Sequence, residues 1–497
     1  MTANLGQSIR KGVKWLLVGN VAGEILQFAF GIALARLLVP ADFGMIATVQ
    51  IFTGFVGMLA AGGMGQSLIR AKTADTREFE GVFTLQLIVG AALYLGFWVT
   101  APTFAAFFDN PLYRDLLRVS ALSFVLRPFS FVRISWLTRE MDFRKRAIVT
   151  LISGAVSGAA SVAMAALGMG VWGLTLAGLL GAVVSNVLYF FATPLRARLC
   201  FDRGVWGRHS TYGFQVTAGD FLSQLKVDSI SLIISKLVGP AALGIFNKAD
   251  SLVRMPNRLI VPPTSQAVFR AMSMMQDDLD KTKYLFFRTI ALLLVYIGPC
   301  LVGLWWVAEP VIDVLYGVKW LPAAEPLRVL VVVGFIRVIF IPCGLVLSAQ
   351  NRMTQKIVID AVGLALAVAG SLIGLRWGLT GVGWGLVVSH LVYAMCLYAA
   401  VMRIIPAHAS DFLKAAGPAL LLNSILVASL AATHHLLVAF GVTQSLPYLV
   451  AMVGVGVTFY GCAFLLIPIP ALRGETDRWR EKIASGYALI TRRSGSA

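Results

Sequence analysis

Apolar residues in this chain do not alternate with polar ones, nor do they recur at the spacing of one helix face. They run in blocks. A helix needs about 20 predominantly apolar residues to cross a bilayer's hydrocarbon layer. Blocks of that kind predict helices at roughly 15–36, 44–69, 82–107, 114–138, 147–168, 171–193, 212–237, 241–269, 284–308, 323–348, 356–375, 379–402, 415–437 and 445–468. The count is fourteen. The fourth, seventh and eighth carry charges and give the weakest signal.

Cations between the blocks set an orientation. An even number of crossings puts both termini on one side, and that side holds 27 of the Lys and Arg residues against five on the other, Arg36, Arg114, Lys236, Lys319 and Arg376. The richer side is expected to be cytoplasmic. Adding or dropping one helix would scramble this asymmetry. The widest outer loop, EPVIDVLYGVKWLPA between helices 9 and 10, is too short to hold a soluble domain.

Composition agrees: 58% of the 497 residues are hydrophobic and 13% charged, where soluble chains run about 45–50% and about 25%. A soluble protein is excluded. The net charge of +18 therefore reports topology and attraction to anionic lipid rather than nucleic-acid binding. The five cysteines are scattered, with no C-x-x-C, so neither a disulfide framework nor a metal site is expected. The basic first residues enter helix 1 without a small-residue cleavage site, and no removable leader is expected.

The chain also repeats. Shifted by 200, RLLVPADFG from Arg36 lies over KLVGPAALG from Lys236, with Pro40/Pro240, Gly44/Gly244, Gln66/Gln266 and Arg70/Arg270 identical. Shifted by 210, LRV at Leu117 lies over LRV at Leu327, and Arg127 over Arg337. Both registers pair helices six apart. The expected fold is all-α and polytopic: two parallel six-helix bundles related by a pseudo-twofold axis along the membrane normal, plus two C-terminal helices. The corresponding divisions are 1–210 and 211–410 for the bundles, 411–470 for the last pair and 471–497 for a basic tail.

Fourteen helices in this arrangement, LLVPADFG from Leu37, GGMGQSLIR from Gly62 and the basic REMDFRKR loop from Arg139 resemble the polysaccharide-transporter branch of the multidrug/oligosaccharidyl-lipid/polysaccharide exporter superfamily. The resemblance implies a flippase in the bacterial inner membrane, not an enzyme, that moves an undecaprenyl-pyrophosphate-linked oligosaccharide by alternating access. It implies membrane lipid, a polysaccharide polymerase and a co-polymerase as partners of a monomeric carrier.

Charges inside the blocks supply the candidate site. A cation at the centre of a lipid-facing helix is unfavourable by about 2.5–3.5 kcal/mol, so mid-depth cations should face a cavity. Arg127 and Arg337 lie mid-helix at equivalent repeat positions and rank first as contacts for an anionic head, which arginine suits through its fork of donors. Arg118 and Arg328 also correspond but lie near the outer helix ends, where snorkelling to headgroups explains them equally. Helix 8 carries Asn247, Asp250, Ser251, Arg254 and Arg258 as one stripe, in which Asp250 and Arg254 can pair at i, i+4 and Arg258 is left over. Helix 7 places Asp220, Gln224 and Asp228 on one face, matched by Asn20 and Glu24 on helix 1. Glu24, Asp220, Asp228 and Asp250 are candidates for proton or sodium coupling, and Lys226 for substrate or a structural pair. No cofactor is expected.

Three rivals remain. A peptidoglycan-precursor flippase shares the charge pattern. A cation-drug exporter should line its cavity with acids instead. A membrane polymerase or ligase needs a large outer loop and acid/base motifs that the sequence lacks.

Overall fold

The computed structural model describes the backbone at residues 2–61, 63–71, 75–196, 198–442 and 444–494, and side chains at 15, 18–58, 63–71, 75–196, 198–210, 224–225, 228–408, 410–442 and 444–485. Seventeen α-helices and three short 3-10 turns are formed, with no strand among the described residues. Ten segments among those residues are long and apolar enough to cross a membrane, and one of them, 353–402, takes in two helices.

The chain forms two compact units, residues 1–247 and 248–497. The first contains α1 (Thr2–Leu37), α2 (Pro40–Ala61), α3 (Met64–Arg70), α4 (Thr76–Phe107), α5 (Leu112–Arg139), α6 (Phe143–Ala166), α7 (Val171–Ala192) and α8 (Arg203–Leu237). Helix α8 joins this unit because it packs on α2, α3 and α4. Helix α9 (Pro240–Met274) begins in the first unit and continues in the second. The second unit also holds α10 (Leu279–Trp306), α11 (Ala308–Tyr316), α12 (Ala324–Ala349), α13 (Met353–Gly374), α14 (Gly378–Met402), α15 (Ala409–Ala439), α16 (Ser445–Leu466) and α17 (Arg473–Ser494).

Two expectations change at this level. The single helix expected over 44–69 is two, α2 and the short α3, with Gly63 between them at φ 56°. A left-handed residue ends a helix, and the Gly-rich stretch takes that conformation without strain. The outer loop between expected helices 9 and 10 is also not irregular: it forms α11 and a 3-10 turn over Val318–Ala323, and Trp320 is fully buried.

Helices α2 and α9 both open on a proline at the first helical position, where a missing N–H is harmless. The two openings meet. A methyl on Gly44 would collide with the Pro240 carbonyl, and one on Gly244 with the Pro40 carbonyl. Beside them, the hydroxyls of Thr48 on α2 and Ser235 on α8 lie 2.5 Å apart. Within the second unit, α13 and α14 form a hairpin in which Gly370 and Gly374 approach the carbonyls of Gly385 and Gly381, the small-residue packing that lets membrane helices touch backbone to backbone.

Candidate functional site

The polar stripe of α9 becomes one wall of a cavity of about 660 Å³ in the second unit, to which Arg254 and Arg258 contribute. Helix α12 supplies Arg337, α13 Lys356, and α14 His390 and Tyr393. Apolar side chains, among them Val261, Phe340 and Leu397, complete the lining. Four cations thus converge, and no carboxylate lines the cavity among the described residues.

The acids stand just behind. Arg254 Nε donates to Asp250 Oδ2, and Arg337 Nη1 lies 3.5 Å from Asp250 Oδ1. One carboxylate therefore serves two guanidinium groups. Arg337 Nε also donates to His390 Nε2 at 3.3 Å, while His390 Nδ1 sits 2.9 Å from the Leu386 carbonyl. A carbonyl only accepts, so Nδ1 carries the proton, Nε2 accepts, and the ring is neutral. Across the cavity, Lys356 Nζ donates to Asp360 Oδ2 at 2.6 Å and the Tyr393 hydroxyl donates to Asp360 Oδ1 at 2.5 Å. Among the described residues, Asp250 serves Arg254 and Arg337 and Asp360 serves Lys356 from behind, so the surface turned to the hollow is basic. Such a surface can grip a doubly charged phosphate head through charge-assisted, forked hydrogen bonds.

Of the residues expected from sequence, Arg254, Arg258 and Arg337 come together here, with Asp250 bridging two of them. Arg258 is engaged rather than left over. Arg127 belongs to the first unit, where Nη1 donates to the Gly57 carbonyl at 2.9 Å and ties α5 to α2. It meets no carboxylate among the described residues. Arg118 stacks on Trp98, its guanidinium 4.4 Å from the ring centroid, and Arg328 pairs with Glu309 at 2.9 Å, so both outer arginines have local partners and lie off the cavity. Asp228 accepts from Gln224 Nε2 at 2.9 Å, and Glu24 is half-buried and partnered. The Asp220 and Lys226 side chains lie outside the described residues. No cluster of His, Cys, Asp and Glu suited to a metal occurs among the described residues.

Sequence reading missed Lys356, His390 and Tyr393. Lys356 stands at the first position of the block 356–375, and its i, i+4 spacing to Asp360 is the one visible signal, that of a structural pair. His390 and Tyr393 carried no local pattern.

A second polar cluster lies in the first unit. His209, 3% exposed, has Nδ1 2.7 Å from the Ser67 hydroxyl and Nε2 3.8 Å from Glu78 Oε2. The other Glu78 oxygen accepts from Arg208 at 3.3 Å. Burial pushes the His209 imidazole below its ordinary value, against a smaller opposing pull from Glu78. The ring thus stays neutral and joins α3 to α8.

Comparison with known proteins bears on the whole chain. A family model described as polysaccharide biosynthesis protein matches residues 33–325, more than half of the sequence. The succinoglycan biosynthesis transport protein ExoT of Rhizobium meliloti is 25% identical, with 96% of each chain covered. Among solved structures, the lipid II flippase MurJ in an inward closed conformation superposes with a TM-score of 0.71 at 14% identity, over 89% of this chain and 96% of that one. An inward-facing multidrug-resistance MATE transporter of the MOP superfamily gives 0.61 at 16% identity, over 78% and 98%. At those identities the solved structures speak to fold.

Proposed function

Because the chain belongs to the polysaccharide biosynthesis protein family, we propose that it is a flippase for a lipid-linked oligosaccharide, moving an undecaprenyl-pyrophosphate-borne exopolysaccharide, capsule or O-antigen unit across the bacterial inner membrane. The observation that carries this reading is the acid-free lining of the second unit's cavity, where Arg254, Arg258, Arg337 and Lys356 converge. A pyrophosphate head answers that basic lining. A cationic drug does not.

The work of the carrier is binding, not bond-making. The cations hold the head, and the apolar lining accommodates the first isoprene units. Exchange of the cavity between two openings moves the sugar across. Arg127 would contribute the first unit's cation, and Glu24, Asp220, Asp228 and Asp250 the coupling to a proton or sodium gradient. Fourteen crossings are then α1, α2, α4 to α10 and α12 to α16, a reading that requires the charges of α5, α8 and α9 to face protein or water rather than lipid. The reciprocal contact of Pro40–Gly44 with Pro240–Gly244 supports the parallel repeat, and the cation asymmetry supports cytoplasmic termini. The likeness of fold to a lipid II flippase keeps a peptidoglycan-precursor cargo as the second reading.

The test is genetic and chemical. In a strain lacking the chromosomal gene, the Arg127→Ala/Arg337→Ala variant should insert normally, abolish glycan secretion and leave lipid-linked repeat units on the cytoplasmic leaflet. Undiminished secretion from that variant would remove both arginines from the site. Normal glycan with arrested cell-wall synthesis in the gene deletion would move the cargo to the precursor.

A further inference from the structure

We propose that the groove between the loop-proximal ends of α13 and α14, remote from their hairpin turn, is a binding site for the phosphodiester headgroup of an anionic membrane phospholipid. The site is independent of the cargo and of which way the chain faces.

The groove follows from the packing of the hairpin. Near the turn, Gly370 and Gly374 of α13 meet the carbonyls of Gly385 and Gly381 on α14, so the helices touch backbone to backbone. Away from that pin, the residues the two helices turn to each other around the cleft, among them Gln355, Ile359, Cys396 and Ala399, all carry side chains. What opens there is a cleft of about 900 Å³. Its rim is polar, with Asn351, Arg352 and Gln355 from the start of α13 and Arg403 from the end of α14. Its depth is apolar and partly small, with Val358, Ile359, Cys396 and Ala399.

Arg352 caps the beginning of α13 and Arg403 the end of α14. Both are exposed, and neither guanidinium meets a carboxylate among the described residues. Two acids on adjoining elements are already taken: Asp360 holds Lys356 at 2.6 Å, and Asp411 holds Lys283 at 2.8 Å. Two uncompensated arginines therefore flank one cleft. Both helices fall within the apolar segment 353–402, which sets their charged ends at headgroup depth and the apolar floor against acyl chains. Val358, 58% exposed, and Cys396 extend that floor toward lipid. A ligand that fits must carry a phosphate anion continuous with hydrocarbon. An acidic protein segment satisfies the rim but leaves the apolar floor wet. Lys356 faces the cargo cavity from α13, whereas Gln355 and Ile359 face the groove, so the two sites use different sides of one helix.

Cys396 in the floor reports occupancy, and exposed Cys462 on α16 serves as an internal reference. The full-length protein is placed in nanodiscs of phosphatidylcholine alone or with added phosphatidylglycerol. Alkylation by N-ethylmaleimide is then followed peptide by peptide in a mass spectrometer. Phosphatidylglycerol should slow Cys396 alkylation at least threefold while leaving Cys462 unchanged, and the Arg352→Gln/Arg403→Gln variant should lose that protection. Glycerol phosphate added to phosphatidylcholine discs should not protect. Equal rates in the two lipids, equal protection in the variant, or protection by soluble glycerol phosphate would each overturn the proposal. Because cargo takes no part, these outcomes are separate from the secretion phenotype above.

Discussion

Neutralising Asp250 isolates the electrostatics of the cavity between α9 and α12. In Asp250→Asn the shape of the side chain is kept, but the one carboxylate shared by Arg254 and Arg337 is lost. At 3.5 Å a pair of unit charges in a medium of effective dielectric constant about 20 attracts by about 5 kcal/mol before desolvation. The partners are 18–32% exposed, so solvent takes back most of that, and the net destabilisation should be about 1–3 kcal/mol. The same change frees two guanidinium groups for a ligand. One additional charge-assisted bond to phosphate is worth about 1.5–3 kcal/mol, which is about tenfold or more in affinity. Farnesyl pyrophosphate, a short prenyl pyrophosphate, is a suitable probe. Scanning fluorimetry of the variant in nanodiscs should give a lower melting temperature without ligand and about tenfold tighter binding with it. Adding Arg337→Gln should cancel the gain in affinity. Reduced stability with unchanged affinity for farnesyl pyrophosphate would show that Arg254 and Arg337 serve only as structural partners of Asp250, and the phosphate-binding argument would fail.

Three further outcomes are expected. Because burial depresses the His209 imidazole, the unfolded chain takes up this proton more readily than the folded one. Stability should therefore fall as pH drops below the ordinary histidine value of about 6.5 and level off once the folded-state group has also protonated. His209→Gln should flatten that limb of a melting-temperature profile, and an unchanged profile would reject the assignment. Gly44→Ala should destabilise by about 1–3 kcal/mol, because the methyl meets the Pro240 carbonyl. Gly417→Ala, with nothing within 4 Å of the added methyl, should be neutral by the same fluorimetry. Tyr393→Phe removes a hydrogen bond to a charged carboxylate, worth about 1.5–3 kcal/mol. It should slow glycan export measurably without lowering the amount of protein in the membrane, and wild-type export would place Tyr393 outside the working site.

Much of the scaffold was readable before any coordinates, since a run of apolar residues long enough to span lipid leaves the backbone little alternative to a helix. Chain order alone did not reveal which polar residues share a space. Asp250, Arg254 and Arg258 were legible together because helical spacing put them on one stripe. Arg337 was singled out by its depth and its repeat partner, yet its neighbours His390 and Asp250 come from other helices. Lys356 goes unmarked for a physical reason: at the edge of an apolar block, a lysine that snorkels and one that turns inward have the same sequence. The break at Gly63 and the helical α11 were hidden because apolar loops and apolar helices look alike.

Helix α9 carries Pro256, Pro262 and Pro263 in its interior. Each proline withdraws one rung from the ladder of backbone hydrogen bonds, so this rod, with three, is softer than α10 or α12, which carry one interior proline each, Pro299 and Pro342. Two of the four basic side chains ride on that soft rod, and the others on α12 and α13. Under the proposed function, flexing α9 would change the spacing of the jaws and so loosen the hold on a tightly bound anion. Amide exchange between residues 252 and 266 should accordingly outpace that of α12, and equal protection of the two would deny α9 this compliance.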